Sequence, residues 1–423
     1  MDGFKCLRAS IILILMLISA LSMSLKGFAQ AQLSPYSAES DTNAATPAVY
    51  LMTIAPGKVY WERFGHNAII IDPNPGEASP FGISPQAIAY NFGYFDMSEA
   101  GFLPNFIQGR MNYEGVQIRA LDDIANYQSQ DRSISLQLLN LSRGQANKLT
   151  ALLISQTTAP DERYRYDYFR QNCSTKLRDA LNMAFDGGIE KSVQGRATGQ
   201  TFRSLGLAHA QGELWLYLGI HAGLGPATDR PLSFYEEYFI PGQLMRGIAD
   251  KSITGTPIVR STQIIQPDMP STPAQPDWRY QFGVIGLLIA LGIAANARFS
   301  PNNASKARHV GSTFMLGFFA IAIGLFGALL FFLQLTNHSD AHWNLNLFLF
   351  NPLWFLAAPG AGKLFKAPVI RAGLNLALAL ALFGSGIKVF PWIRQQNIEW
   401  VLLMLPILYA VWFARRQASA IQI

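Results

Sequence analysis

The stretch DYFRQNCSTKLRDAL, residues 167–181, carries a cysteine where a helix is expected to begin. A thiol in that position meets the partial positive charge of the helix end and free backbone N–H groups. Both favour thiolate and can stabilise an oxyanion. Leu177, Ala180, Leu181 and Ala184 follow at helical spacing, so Cys173 shares the buried face and points inward. A nucleophilic thiol needs a base, and the same region offers His66, His209 and His221. His66 heads the run HNAIIID, whose three isoleucines bury a strand on both faces. That places an imidazole at the edge of a rigid sheet, as a catalytic base requires. His209 and His221 lie in Gly/Ala-rich stretches without such support. The plain alternatives are a small buried cysteine and a satisfied strand-end histidine. Together, on a helix start and a strand start, the two residues point to a thiol enzyme.

The elements that must position them read as follows. Strands are expected at 48–54, 66–72, 87–95, 116–121 and 133–139, and a helix at 142–156 opened by a Ser142/Gln145 capping box. With the Cys173 helix behind them, this order suggests an α+β domain over 45–250. Residues 253–279, rich in Pro, Ser and Thr, read as a linker.

Beyond 280 the texture changes. Apolar segments near 282–297, 312–335, 343–358, 371–390 and 399–414 predict a membrane domain of about five spans over 280–416. Half of the 423 residues are hydrophobic and 14% are charged, and the net charge of +6 is spread around those segments. Membrane topology explains the basic residues better than nucleic acid does. Lys5 and Arg8 precede a short apolar run, and FAQAQ supplies a small-x-small site, so residues 1–31 read as a signal peptide or an uncleaved anchor. Arg298, Lys306 and Arg308, Lys363, Lys366 and Arg371, and Arg415 and Arg416 mark the cytoplasmic ends of the spans. The 45–250 domain is then extracytoplasmic. Cys6 and Cys173 are far apart in sequence, so no disulfide framework or cysteine metal cluster is expected.

WERFGHNAI, YNFGYFD, YDYFRQNCSTKLRDAL and HWNLNLFLFNPL resemble the Lnb-type family, in which a periplasmic domain precedes a multi-span membrane domain. In papain-like enzymes cysteine precedes histidine; here His66 comes first. That order resembles the permuted NlpC/P60-like thiol fold of the lecithin–retinol acyltransferase group, although Ser174 and Thr175 depart from that group's usual residues. The resemblance implies an inner-membrane lipoprotein N-acyltransferase without a cofactor. Its donor would be a phospholipid and its acceptor the N-terminal amine of a lipoprotein. It casts Cys173 as the nucleophile that carries the acyl chain as a thioester, its N–H as oxyanion donor, and His66 as the base. Asn91 would orient His66, with Asp96 as the second choice; the plain alternative for Asn91 is a strand-end cap. Arg63 and Arg178 would hold the donor's phosphate, or else form ion pairs with Glu62 and Asp179. Asn172, next to the thiol, is grouped with them as a substrate contact.

Two further motifs have competing readings. HSDAH could bind a metal through His338 and His342, but lacks a strong third ligand beyond Asp340, so no metal is expected. Asn344, Asn346 and Asn351 at a membrane edge suit helix packing better than a lipid headgroup. The rival functions are a cell-wall amidase or endopeptidase of NlpC/P60 type using the same Cys–His pair, and a membrane scaffold with Cys173 as core.

Overall fold

A computed structural model describes residues 46–76, 80–158, 163–195, 198–266, 273–274, 276–298, 306–358, 361–390 and 392–420. The expected signal peptide or anchor, residues 1–31, lies outside the described residues.

The apolar and alternating runs pair into one antiparallel sheet. Its strands are β1 Ala48–Ile54, β2 His66–Asp72, β3 Ile88–Tyr94, β4 Asn112–Arg119, β5 Ile134–Leu139, β6 Tyr164–Arg165 and β9 Val259–Ile265, in spatial order β6-β4-β3-β2-β1-β5-β9. β7 Ser252–Ile253 and β8 Thr256–Pro257 form a small hairpin of their own. The helices of this half are α1 Phe102–Ile107, α2 Ala120–Ser129, α3 Arg143–Thr158, α4 Cys173–Ala184, α5 Gly188–Val193, α6 Phe202–Ala210, α7 Leu214–Gly223, α8 Phe234–Glu237 and α9 Pro241–Ala249. At the start of α3 the Ser142 N–H donates to Gln145 Oε1 (3.0 Å) and the Gln145 N–H to Ser142 Oγ (3.3 Å), closing the expected capping box.

Alternation along the strands divides the core in two. Val49, Leu51, Ile69, Ile71, Tyr90 and Phe92 face α3 and α4. Met52, Ile54, Ala68, Ile70 and Ala89 face α2. The uninterrupted isoleucines of β2 are therefore explained by helices on both sides. The expected linker is partly a strand: residues 259–265 add to the sheet edge against β5. Its Ser/Thr/Gln content reads as loop, but those side chains face solvent from an edge strand, where such polarity also blunts further pairing.

The second half is helical: α10 Arg279–Arg298, α11 Lys306–Gln334, α12 Asn346–Leu349, α13 Ala361–Leu364, α14 Ala367–Gly386 and α15 Ile398–Ala420. Four of these, over 279–297, 316–334, 367–389 and 398–416, contain stretches long and apolar enough to cross a membrane. The expected third span is not one helix. It is α12 followed by a 3₁₀ stretch, Pro352–Ala357. Asn351 precedes a proline and takes an extended conformation there, which ends α12's helical path.

This broken segment nevertheless runs the depth of the bundle. At one end Asn344 and Asn346 bond Gln395 and Asn397, just before α15; at the other, Ala357 and Ala358 accept the guanidinium of Arg415. From Asn397 to Arg415 is 18 helical steps, about 27 Å at 1.5 Å each. Asn351 donates to the carbonyls of Phe348 and Ala377, which ties the broken segment to α14. A reporter fused after Arg416 should accordingly read cytoplasmic while one inserted at 273–274 reads exported. The same side for both would mean that the broken segment does not cross.

Candidate active site

The sheet brings His66 and Asn91 together by register. Ala68 pairs with Asn91, so His66 lies diagonally across from it on the same face. Gly65 makes the entry possible: it has φ +80°, and a Cβ there would lie 2.7 Å from the Ile54 carbonyl oxygen. The His66 Nε2–H donates to Asn91 Oδ1 (2.8 Å), and Asn91 Nδ2 donates to Asp123 Oδ2 (2.9 Å). The carboxylate can only accept, which orients the amide and thereby fixes the imidazole tautomer with its lone pair on Nδ1.

Cys173 arrives from the other face. Asn172 caps α4: its Oδ1 accepts the Thr175 N–H (2.9 Å), its own N–H donates to Thr175 Oγ1 (2.8 Å), and Nδ2 donates to the carbonyls of Tyr168 and Phe239. The sheet gives way for the thiol at Gly93, where β3 bulges against β4 with φ +92°. A Cβ on Gly93 would meet Cys173 Cβ at 3.7 Å and Tyr166 Cε2 at 3.6 Å. Extending the β2–β3 register puts Gly93 opposite His66. The sulfur also receives the backbone N–H of Asn67, the residue after His66, as well as those of Ser174 and Cys173 itself. Cysteine and histidine thus meet around the end of β2, and both stay partly open to solvent.

Burial controls the charges. It holds His66 down to about 4, against the favourable bond to Asn91, with Arg132 lowering it further. It raises the Cys173 thiol, against the three N–H groups and the charge of Arg132. It pushes Asp123 up to about 6, against the bond from Asn91. At neutral pH the resting pair is therefore thiol and neutral imidazole, with an ionised Asp123 behind. Such a pair works by general-base transfer during attack and not from a standing thiolate.

Asp123, Arg132 and Tyr127 were not foreseen. Asp123 had a readable signal: with Ala120, Ile124 and Tyr127 it lies on one buried stripe of α2, an odd place for an acid. Arg132 donates to the Ala55 carbonyl (2.9 Å) and sits 5.1 Å over the Tyr127 ring, whose centroid is 6.2 Å from that of His66.

Other expected residues are engaged elsewhere. Asn172 spends its amide on the cap and on two carbonyls. Arg63 pairs with Glu213, not with Glu62, and Arg178 with Asp179 and the Tyr235 carbonyl. Asp96 accepts from Ser98 in a turn, while Asp123 occupies the place behind Asn91. His209 bonds the Leu205 carbonyl and His221 bonds Glu399. In HSDAH, His338 and His342 bond the carbonyls of Phe106 and Thr336, and Asp340 takes two bonds from Arg170 (2.8 and 2.9 Å).

A mixed α/β domain with a cysteine at a helix start and a histidine at a strand start is joined here to helices long and apolar enough to cross a membrane. Residues 35–205 match the model of the family described as the Lnb N-terminal periplasmic domain, and this stretch holds His66, Asn91, Asp123 and Cys173. The sheet half is thus similar to that periplasmic domain. Comparisons with curated proteins and with solved structures gave no significant match.

Two outcomes test the site. Asp123→Asn, which can either donate or accept, should free Asn91 to flip and lower kcat on the order of 10²-fold with KM nearly unchanged. An unchanged kcat would mean that Asn91 is oriented without Asp123. Alkylation of Cys173 by iodoacetamide should climb through pH 9 and beyond, because a raised thiol pKa leaves little thiolate at neutrality. A rate already level by pH 7 would mean a standing thiolate.

Proposed function

We propose that this is a membrane-bound thiol acyltransferase of lipoprotein maturation, lodged in the inner membrane, with a permuted papain-like periplasmic domain. It moves an acyl chain from a phospholipid to the N-terminal amine of a lipoprotein. The observation that carries this reading is the meeting of Cys173, at a capped helix start, with a His66 whose tautomer is set by Asn91 and Asp123.

In the first half-reaction His66 Nδ1 takes the thiol proton as sulfur attacks the ester carbonyl. The tetrahedral oxyanion forms beside the N–H groups of Cys173 and Asn67. On collapse the C–O bond breaks, the departing alcohol of the lysophospholipid takes the proton back from His66, and the chain remains on sulfur as a thioester. In the second half-reaction the α-amine attacks that carbonyl and gives its proton to His66. The C–S bond then breaks, sulfur is reprotonated, and the amide leaves. No net redox change occurs, and the reaction needs no cofactor. A base with a pKa near 4 is weak, so proton transfer must be concerted with attack.

Detergent-solubilised protein incubated with phospholipid should gain one fatty-acyl mass on Cys173, released by neutral hydroxylamine and discharged by a diacylated lipopeptide with a free α-amine. Cys173→Ala should never form the adduct, and His66→Ala should form it far more slowly. Release of muropeptides from cell wall without a lipid adduct would replace this reading with a wall hydrolase. A Cys173 that neither reacts nor matters would leave a scaffold.

A further inference from the structure

The domain that holds the thiol carries two exposed apolar patches. One is the charge-free start of α7, where Leu214 is 69% and Trp215 57% exposed, with Trp61 of the Tyr60–Glu62 turn beside it. The other is α1, where Leu103 is 60% and Ile107 45% exposed. Water is a poor neighbour for so much aromatic and aliphatic surface.

Their place relative to the bundle is set by bonds. The last carbonyls of α7 accept from Asn344 and Asn346 of the broken segment, and His221 of α7 bonds Glu399 of α15. At the end of α1, the Phe106 and Gln108 carbonyls meet His338 and the Asn337 N–H, in the loop leaving α11. The last turn of α7 and the end of α1 therefore stand at the rim of the spanning helices, with the exposed first turn of α7 about two turns further along its axis. Leu335 and Trp343, in the stretch that leaves α11, are exposed as well.

Each patch is backed by aromatic rings. Tyr60 packs edge-on to Trp215 (5.5 Å) and Trp61 (4.6 Å). From α1 the line runs through Phe102 and Phe95 (5.7 Å) to Tyr113 (4.9 Å). Tyr113 stacks on Tyr166 (4.2 Å), which lies with Cys173 against Gly93.

We propose that α1, the Tyr60–Glu62 turn and the first turn of α7 insert into the periplasmic leaflet of the bilayer, where phospholipid acyl chains cover them and reach Cys173 past the half-buried Tyr166. The acyl route rests on the acyltransfer reading above; the insertion does not. Indole rings suit this depth, having an apolar body and a polar N–H for the headgroup layer. The continuity with spanning helices favours lipid over a protein partner as the occupant.

The test uses the full chain in nanodiscs of phosphatidylcholine brominated near the top of its acyl chains. Wild-type tryptophan fluorescence should be quenched more than that of Trp215→Phe or Trp61→Phe, and the indoles that differ should be shielded from acrylamide. Equal quenching in all three would overturn the insertion, whether acrylamide then reaches these indoles or a partner protein shields them. For the route, Leu214→Glu combined with Leu103→Glu should slow adduct formation from bilayer phospholipid about tenfold or more, while a short-chain monomeric phospholipid still acylates Cys173 at the wild-type rate. Equal losses with both lipids would overturn the route. Were the acyltransfer reading itself wrong, no adduct would form from either lipid, yet the quenching difference would persist.

Discussion

One asparagine side chain governs where the thiol points. Asn172 cannot continue the preceding extended chain into a helix without satisfying the free N–H groups at its start, and its amide does so while reaching two carbonyls, of Tyr168 and Phe239. Ser174 adds a bond to the Tyr238 carbonyl (2.6 Å). The loop before Cys173 and the segment joining α8 to α9 are thereby tied to one helix end. A cap of this kind is worth about 1 kcal/mol by itself, and more where its loss would leave buried carbonyls without donors. Its larger effect is geometric: it fixes the direction of α4 against the sheet, and with it the sulfur.

The sheet then solves a problem of sides. Cysteine belongs to the face covered by α4, histidine to the face covered by α2, and the two can meet only around a strand end. The bulge at Gly93 and the tight entry at Gly65 open that corner. The same crowding that permits the meeting keeps most water from it, so both groups rest neutral. Arg132 is the nearby compensation: a buried cation that favours the thiolate while disfavouring a charged imidazole. The arrangement suits a nucleophile that becomes an anion only as it attacks.

The membrane half is more than a tether. Its loop after α11 sends Asp340 to Arg170, three residues ahead of Cys173, and the Asp340 carbonyl accepts the Gly225 N–H. Gly225 in turn gives its carbonyl to Arg203, which is buried with Asp229 and also holds the carbonyls of His221 and Leu224. The cysteine loop, α6, α7 and the bundle form one bonded unit. A buried ion pair contributes little net stability against an apolar replacement, but breaking either partner leaves a charge without compensation. Such a knot serves registration of the two halves.

Local pattern was enough for much of this protein. The isoleucine run of β2, the capping box of α3, the spacing behind Cys173 and the apolar lengths of α10, α11, α14 and α15 all express short-range rules, since period and caps depend on neighbours in sequence. Cys173 and His66 could be singled out in the same way, each at the start of an element. Contacts between distant segments were decided by the tertiary structure. Asp123 behind Asn91, Glu213 on Arg63, and Asp340 on Arg170 depend on which segments become neighbours, and charge alone does not choose among many acids. The strand at 259–265 reads like a linker because edge strands can stay polar, and the broken span reads like a helix because hydropathy is blind to hydrogen-bond partners supplied by other segments. Sequence determines what each segment can be; packing determines which unsatisfied groups find one another.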